Sequence, residues 1–320
     1  MSPTHRRCCA GITSLGRGLA WGAATTAALG GAALLWGSIE RRLPTIRRYE
    51  IEMPAYRGIH DVTLLHISDL HMYPGQEFLL DFLAEVAATQ HFDAVISTGD
   101  NLGASEGIDL AIAAHELFAD RPGAFVFGSN DYFSPRRKRW SRYLRTDARD
   151  HDDHRQTDLP WAELANSLRQ AGWRDLSNQS LTMDIVSSAG TQTLALLGVD
   201  DPHIDRDRLV KPVSQWSDDQ VLRLGVTHAP YLRIVNAMSN AGADLILAGH
   251  THGGQIGLPG YGALVTNCDL PRAWAKGVHE WVTPASQTLL HVSAGLGTSP
   301  YAPVRIATRP EVSLLHFISV

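Results

Sequence analysis

The sequence predicts an α/β fold in which parallel strands alternate with helices. Two observations lead to that class. Short apolar runs recur along the chain, separated in the first half by segments whose apolar residues follow helical spacing. Polar clusters come directly after several of these runs, as expected where ligand-binding loops lie at the carboxyl ends of parallel strands.

The alternation is clearest in the first half of the chain. The predicted elements are an edge strand at 49–56 interrupted by Pro54, a strand at 62–68, a helix at 77–88, a strand at 93–97, a helix at 108–118 and a strand at 124–127. The run at 62–68 is apolar at most positions, which is typical of a strand covered on both faces. This order predicts parallel pairing.

The second half is predicted to be richer in strands. Apolar runs mark them at 181–186, 193–199, 221–226, 245–248, 289–292 and 312–318. The runs at 221–226 and 245–248 again end at polar clusters. These two strands are therefore expected to end at the same edge of the sheet as the ligand-bearing strands of the first half.

Length and composition exclude several classes of protein. With 320 residues, 44% hydrophobic and 19% charged, the chain can bury a sizeable core, and disorder is not expected. The net charge of −5 argues against nucleic acid as a partner, because binding phosphate backbones needs a broad cationic surface. Only Cys268 lies in the main part of the chain, so no disulfide is expected there. Oligomeric state is not indicated.

An apolar segment precedes the predicted elements. The stretch from Gly18 to Ile39 contains no charged residue, and as a helix it would span roughly 33 Å, enough for a bilayer core. We expect an uncleaved single-pass anchor in the cell membrane; a cleaved signal peptide is the alternative, with Arg6-Arg7 as a faint twin-arginine signal. Arginines flank both ends, so the side of the membrane stays open. The expected division is 1–44 for the basic segment and anchor, and 45–320 for the main domain.

A charged insert at 136–158 interrupts the main domain. It begins with basic residues, interleaved with Trp140 and Tyr143, and continues with acidic ones. It could lie over the site and meet an anionic or lipid-linked substrate. A solvated loop with neutralising charge blocks explains it equally well.

Metal-ligand residue types follow five of the apolar runs. Asp69 and His71 come after the run at 62–68, and a glycine-rich turn carries His250 and His252. The other members of the set are Asp100, Asn130 and His228. Carboxylate and imidazole ligands without thiolates suit ions such as Mn, Fe, Zn or Co and argue against structural zinc. Asp69 or Asp100 alone could merely cap a helix or start a turn, but together these clusters predict a two-metal hydrolase.

The order Asp-x-His, Gly-Asp, Gly-Asn-type turn, His and Gly-His-x-His, over about residues 58–319, resembles the calcineurin-like metallophosphoesterase family. Phrases at 198–202, 295–299 and 309–311 are similar to a membrane-associated bacterial branch described as similar to UDP-2,3-diacylglucosamine hydrolases. The resemblance implies a four-layer α/β/β/α sandwich of two mixed sheets.

The resemblance also implies roles for the ligand residues. Asp69, His71 and His252 would hold a first divalent ion, Asp100 would bridge both ions, and Asn130, His228 and His250 would complete the second site. Two ions about 3.5–4 Å apart can share a water, and the resulting bridging hydroxide would attack phosphorus in line. No protein nucleophile is required.

One turn departs from the family pattern. Where the family usually has Gly-Asn-His and an acidic residue, this chain has Gly128-Ser129-Asn130-Asp131. An alignment without a gap places Ser129 at the ligand position; ligand chemistry favours Asn130, because an amide oxygen binds such ions better than a neutral hydroxyl does. Either way the customary histidine is missing. His203 or a metal-bound water is the expected replacement as general acid.

The expected function is hydrolysis of a phosphodiester or pyrophosphate bond in a phosphorylated, lipid-linked small molecule by a membrane-attached enzyme. A soluble nucleotide or cyclic-nucleotide phosphodiesterase would share all the metal chemistry. A non-catalytic metal-binding scaffold is the alternative from another class, supported only by the altered turn at 128–131.

Overall fold

Two six-stranded mixed β-sheets organise the computed structural model, which describes residues 28–59, 61–137, 156–188, 190–258 and 260–320. The helices are α1 (28–40), α2 (Glu77–Thr89), α3 (Ile108–Glu116), α4 (Ser129–Tyr132), α5 (Trp161–Gln170) and α6 (Leu232–Asn240). The strands are β1 (Thr45–Met53), β2 (Val62–Ile67), β3 (Ala94–Ser97), β4 (Gly123–Phe125), β5 (Arg174–Asp175), β6 (Ser180–Ser187), β7 (Gly190–Gly198), β8 (Leu222–Val226), β9 (Leu245–Ala248), β10 (Gly257–Leu258), β11 (Gly262–Ala263), β12 (Gly277–Val282), β13 (Gln287–Val292) and β14 (Glu311–Ser319).

The first sheet has the strand order β1-β14-β2-β3-β4-β5. Strands β2 to β5 are mutually parallel, β14 is antiparallel to β2, and β1 is parallel to β14. The predicted parallel pairing of the first half is therefore confirmed. The second sheet has the order β12-β13-β9-β8-β7-β6, with β7, β8, β9 and β13 parallel and antiparallel strands at both edges.

Three apolar clusters show how the sheets and helices are layered. Neighbouring residues of β2 point to opposite faces: Leu65 packs in the cluster beneath α2, α3 and α5, and Leu64 packs in the cluster between the sheets. A third cluster holds Ile246 of β9 together with Val235 and Met238 of α6. The layers therefore run helix, sheet, sheet, helix. Burial on both faces explains why the run at 62–68 is apolar at most positions.

The structure differs from the sequence-based expectations at several elements. Strand β1 begins at Thr45 rather than Tyr49 and ends before Pro54, because it pairs with β14 along its whole length. Helices α5 and α6 and strand β12 were not predicted. Only Leu164, Ala165 and Leu168 of α5 are buried, a short stripe that polar residues interrupt.

The predicted anchor lies only partly in the described chain. Residues 18–27 fall outside the described residues, and 28–39 belong to α1, where Leu29, Leu35 and Trp36 are exposed. Among the described residues, no helix combines the length and apolar character needed to cross a membrane. Most of the insert, residues 138–155, also lies outside the described residues.

Candidate metal centre

The metal-ligand side chains predicted from sequence meet at one edge of the two sheets. Each follows a strand at its carboxyl end or lies in the turn just beyond it, as parallel strands require. Asp69 and His71 follow β2, Asp100 follows β3, Asn130 lies in α4 after β4, His228 follows β8, and His250 and His252 follow β9.

A first ligand group consists of Asp69, His71 and His252, whose ligand atoms all lie within 4.8 Å of one another. The Nε2 atoms of the two histidines face each other at 3.1 Å, and their rings stack with centroids 5.0 Å apart. The Nε2 of His252 is 3.6 Å from Asp69 Oδ1. Two ring nitrogens this close are spaced as ligands of one ion can be, given metal–nitrogen bonds of about 2.1 Å.

A second ligand group, formed by Asp100, His228 and His250, lies beside the first. The ligand atoms of its Asp100 and His228 lie within 4.8 Å of each other and of Asp69 in the first group. His250 Nδ1 is 3.3 Å from His228 Nε2. Asp100 connects the groups, because its Oδ2 is 3.5 Å from His71 Nε2 and 3.4 Å from His228 Nε2. This is the placement expected of a carboxylate shared by two ions.

The hydrogen bonds of the second group fix which ring nitrogens are available. His228 donates its Nδ1–H to the carbonyl of Thr98 at 2.7 Å, and His250 donates its Nε2–H to the carbonyl of Asn267 at 3.1 Å. The opposite nitrogens, which face the site, are therefore the ones left for contact with a metal ion. Histidine ligands in proteins are commonly oriented in this way. The donor set of carboxylate and imidazole fits divalent first-row ions.

Burial and nearby charges shift the pKa values of His228 and His252 in opposite directions. Burial by itself would lower the pKa of His228, but the carboxylates of Asp100 and Asp201 raise that pKa well above its ordinary value. Burial, together with the neighbouring His71 and Arg305, lowers the pKa of His252 well below its ordinary value. Of these two histidines, His228 is thus the one whose surroundings favour a positive charge.

The backbone at the ligand positions is strained. Asp69, His71, Asp100, His250 and His252 all have positive φ, between 43° and 70°. Residues other than glycine rarely adopt this region, and such strain persists where the surrounding structure enforces it, often at functional sites. The glycine before His250 is also required, because a Cβ at Gly249 would overlap the side chain of Ser68.

The altered turn places Asn130 beside the shared carboxylate. The Asn130 side-chain amide lies 2.7 Å from Asp100 Oδ2, and its backbone N–H donates to Asp100 Oδ1 at 2.7 Å. The buried Asp131 accepts the backbone N–H groups of Asp100, Asn101 and Gly128, which fixes the turn. Burial raises the pKa of Asp131 to about 7. The choice of Asn130 over Ser129 as ligand stays a prediction.

His203 lies next to the second group. Its ring centroid is 4.5 Å from that of His250, and its Nδ1 is 2.9 Å from the hydroxyl of Tyr231. The side chain is partly exposed, so it can approach a bound substrate. Its role as general acid stays a prediction.

Three features of the site were not identified from the sequence. Asp201 is fully buried behind His228, and burial raises its pKa to about 7. Arg305 is also fully buried and contacts His252. A buried chain of hydrogen bonds extends from Asp69 through the hydroxyls of Ser68 and Thr98 to His66. The only signal in the sequence was the phrase Asp200-Asp201-Pro202, noted for its resemblance but given no role; nothing local distinguishes Arg305.

Comparisons with known proteins identify a family and several relatives to which this chain is similar. Residues 62–254 match the family model for calcineurin-like phosphoesterases. The uncharacterized metallophosphoesterase YkoQ of Bacillus subtilis (strain 168) is 28% identical over 266 residues, which cover 82% of this chain and 84% of YkoQ. The uncharacterized protein YpbG of the same strain is 24% identical, covering 84% of this chain and 86% of YpbG. Among solved structures, TT1561 of Thermus thermophilus aligns with a TM-score of 0.42 at 12% identity, covering 73% of this chain and 90% of TT1561.

Proposed function

The chain belongs to the calcineurin-like phosphoesterase family and is a metal-dependent phosphoesterase, and we propose that it hydrolyses a phosphodiester or pyrophosphate bond in a lipid-linked substrate while attached to a membrane. The observation that carries the hydrolytic part is the meeting of two ligand groups around Asp100. Isolated ligand clusters serve many purposes, but two groups that share one carboxylate are suited to two neighbouring ions.

The proposed ligand set is Asp69, His71 and His252 for one divalent ion, Asn130, His228 and His250 for the other, and Asp100 for both. Mn, Fe, Zn and Co all suit these donors. When bound, two such ions activate a water and neutralise charge that develops on the phosphoryl oxygens. The protein side chains then have to hold the ions, orient the phosphoryl group and protonate the leaving oxygen.

Two side chains near the second group fit the remaining tasks. The amide of Asn130, which donates to Asp100, is proposed to contact a phosphoryl oxygen as well as to ligate. His203, oriented by Tyr231 and with its ring tilted against that of His250, is proposed to donate a proton to the leaving oxygen. Proton donation by a positioned histidine contributes typically about 10²–10⁴-fold to such reactions.

The proposed membrane attachment rests on the N-terminal part of the chain. The uncharged stretch 18–39 is long enough for a bilayer core, and arginines follow it at 41, 42, 47 and 48. On α1 and just beyond it, Leu34, Leu35, Trp36, Ile39 and Leu43 are all largely exposed. A surface this apolar is expected to be covered. The proposed location is the cell membrane, and the lipid-linked substrate would be related to that of UDP-2,3-diacylglucosamine hydrolases.

Substrate preference would test the lipid-linked part. The full chain should be reconstituted in anionic vesicles with Mn²⁺. A diacylated glucosamine bearing a nucleoside diphosphate should then be compared with the same molecule without acyl chains. We expect kcat/KM to be at least about tenfold higher for the acylated molecule, because burial of its chains in lipid places it at the attachment surface. Equal kcat/KM values would favour the soluble nucleotide phosphodiesterase instead.

A flotation experiment would test attachment itself. We expect the full chain to float with vesicles, and to stay with them after a high-salt wash that removes proteins held only by charge. Recovery in the salt wash would mean a peripheral association through the arginines, and recovery at the bottom of the gradient would contradict membrane attachment.

A further inference from the structure

Four buried side chains connect the space between the two sheets to the metal ligand Asp69, and we call them the His66 network. Ser68 donates its hydroxyl proton to Asp69 Oδ2 at 2.6 Å, and Thr98 donates its own to the hydroxyl oxygen of Ser68 at 2.6 Å. Nε2 of His66 lies 2.9 Å from the hydroxyl oxygen of Thr98. Nδ1 of His66 lies 2.9 Å from Nδ1 of His291. All four side chains are fully buried, so water does not compete for these bonds.

The chemistry of its members gives the network a single direction. A carboxylate that ligates a metal ion is ionised and can only accept, so the one hydroxyl proton of Ser68 goes to Asp69. Ser68 must then accept from Thr98. Because the proton of Thr98 is used in that bond, the hydroxyl oxygen of Thr98 accepts the Nε2–H of His66.

The two histidines complete the network as neutral rings of opposite tautomer. Burial lowers the pKa of His66 to about 3 and lowers the pKa of His291 well below its ordinary value. A neutral imidazole carries one proton. Since that of His66 is on Nε2, its Nδ1 accepts the Nδ1–H of His291. This leaves a lone pair on Nε2 of His291, an atom that has no hydrogen-bond partner among the described residues.

The last bond of the network distinguishes the two carboxylate oxygens of Asp69. The backbone N–H of His250 lies 3.0 Å from Oδ2 and 3.2 Å from Oδ1, so it does not select between them. The Ser68 hydroxyl contacts Oδ2 alone. Oδ1 lies on the side of His252, 3.6 Å from its Nε2. A hydrogen bond to a charged acceptor is stronger than one between neutral groups, so the Ser68 contact can fix this orientation.

We propose that the His66 network positions Asp69 as a metal ligand. Its positioning residues are Ser68, Thr98 and His66, and His291 fixes the tautomer of His66. The network turns Oδ1 towards the first ion and gives Oδ2 a fixed donor. It thereby connects β13 of the second sheet to a ligand that follows β2 of the first sheet. The inference rests on the metal ligands proposed above.

Binding of Mn²⁺ to the full chain tests this proposal without a substrate. After chelation, the two binding steps should be resolved by the electron paramagnetic resonance signal of free Mn²⁺, and the step lost in His71→Ala identifies the first group. We expect Ser68→Ala to weaken that step about tenfold, as loss of a supporting partner typically does. Thr98→Val should weaken it by a smaller factor, because Thr98 acts on Asp69 through Ser68. The other step should change less than about twofold.

Matched variants separate the network from a general loss of packing. Thr98→Ser keeps the hydroxyl and should bind Mn²⁺ as the wild-type chain does. Ser68→Ala combined with Thr98→Val should weaken the first step no more than Ser68→Ala alone, because both changes break the same connection. Thr288→Val removes another buried threonine hydroxyl, at the amino end of β13, and should leave both steps unchanged.

The tautomers of the two histidines give a spectroscopic test that packing alone would not satisfy. The full chain should be labelled with ¹⁵N-histidine, loaded with diamagnetic Zn²⁺ and studied by nuclear magnetic resonance, with the signals assigned by their loss in His66→Gln and His291→Gln. We expect a proton on Nε2 of His66 and on Nδ1 of His291. Thr98→Val should shift the His66 signals, whereas Thr98→Ser should retain them.

Several results would overturn the inference. A His66 proton on Nδ1 would reverse the direction of the network. Unchanged first-step affinity in Ser68→Ala would remove the positioning role, and equal weakening of both steps would indicate a general structural role. In each of these cases, normal wild-type binding would leave the proposed ligands intact. Failure of the wild-type chain to bind Mn²⁺ or Zn²⁺ would overturn the ligands and this inference together.

Discussion

The two ligand groups are built from similar side chains, but their surroundings differ. In the second group, His228 and His250 each donate their remote ring N–H to a backbone carbonyl. In the first group, Nδ1 of His71 has no hydrogen-bond partner among the described residues, and Nδ1 of His252 accepts from Arg305. The second group therefore turns its other two ring nitrogens towards the site, whereas the first has the buried cation Arg305 beside it.

This difference indicates that two ligand groups at one edge of the sheets need not bind a metal ion equally tightly. The carboxylate of Asp201 lies behind the second group and favours a cation there, whereas Arg305 opposes one at the first. We expect the second group to fill first and more tightly. The first group is expected to fill later.

The largest expected effect comes from the residue that the groups share. Asp100→Asn removes the bridging charge, so both binding steps should weaken. Hydrolysis of bis(p-nitrophenyl) phosphate at saturating Mn²⁺ should fall at least about 10³-fold, beyond the 10–100-fold typical of losing a supporting partner. Asp109→Asn, an exposed carboxylate in α3, should leave turnover unchanged. Activity of Asp100→Asn within tenfold of wild type would contradict the role of Asp100 as the carboxylate that the two groups share.

The next effect depends on the leaving group. If His203 protonates the leaving oxygen beside the second group, His203→Gln should reduce turnover of an alkyl phosphodiester about 100-fold. Turnover of bis(p-nitrophenyl) phosphate should barely change, because p-nitrophenolate leaves without a proton. Full turnover of the alkyl ester by the variant would exclude His203 as the acid and favour a water in that role.

Asp201 gives a smaller effect that is specific to the second group. Asp201→Asn keeps the shape of the side chain but removes the negative charge behind His228, so the tighter Mn²⁺ step should weaken about tenfold. The weaker step should be less affected. Equal weakening of both steps would contradict the assignment of unequal surroundings.

The smallest effect contrasts the metal edge with the helix-covered core. Burial lowers the pKa of His115 to about 4, and the ring packs edge-on against Trp173. The neutral form stabilises the fold above the unfolded pKa of about 6.5, and that stability is lost as pH falls towards 4. Urea unfolding of chelated protein at pH 7.5 and 5.5 should show His115→Gln losing about 1 kcal/mol less than wild type over this interval. Equal losses would show that His115 does not contribute.

Much of the fold could be predicted because its determinants are local. The apolar runs of β2, β3 and β9 identify the strands, and the glycines after β3 and β9 identify the turns that carry the ligands. Helix α5 and strand β12 could not be predicted, since α5 buries only Leu164, Ala165 and Leu168 and no residue of β12 is fully buried.

The ligand residues could be predicted because metal ligation needs a few residue types at fixed places in a turn. The buried residues that contact these ligands and the loops beside them could not be predicted. Arg305 contacts His252 across 53 residues of sequence, and Glu40 contacts Thr308 across 268. No periodicity or spacing encodes such distant pairs, so only the assembled fold identifies them.

Mn²⁺ titration of the chelated full chain, with bound metal and hydrolysis of bis(p-nitrophenyl) phosphate measured on the same samples, tests the central claim most directly. Two unequal groups predict a first, tight binding step without turnover, followed by activity that rises with the second, weaker step. Activity that saturates with the first equivalent, or two bound ions with no hydrolysis, would contradict the account.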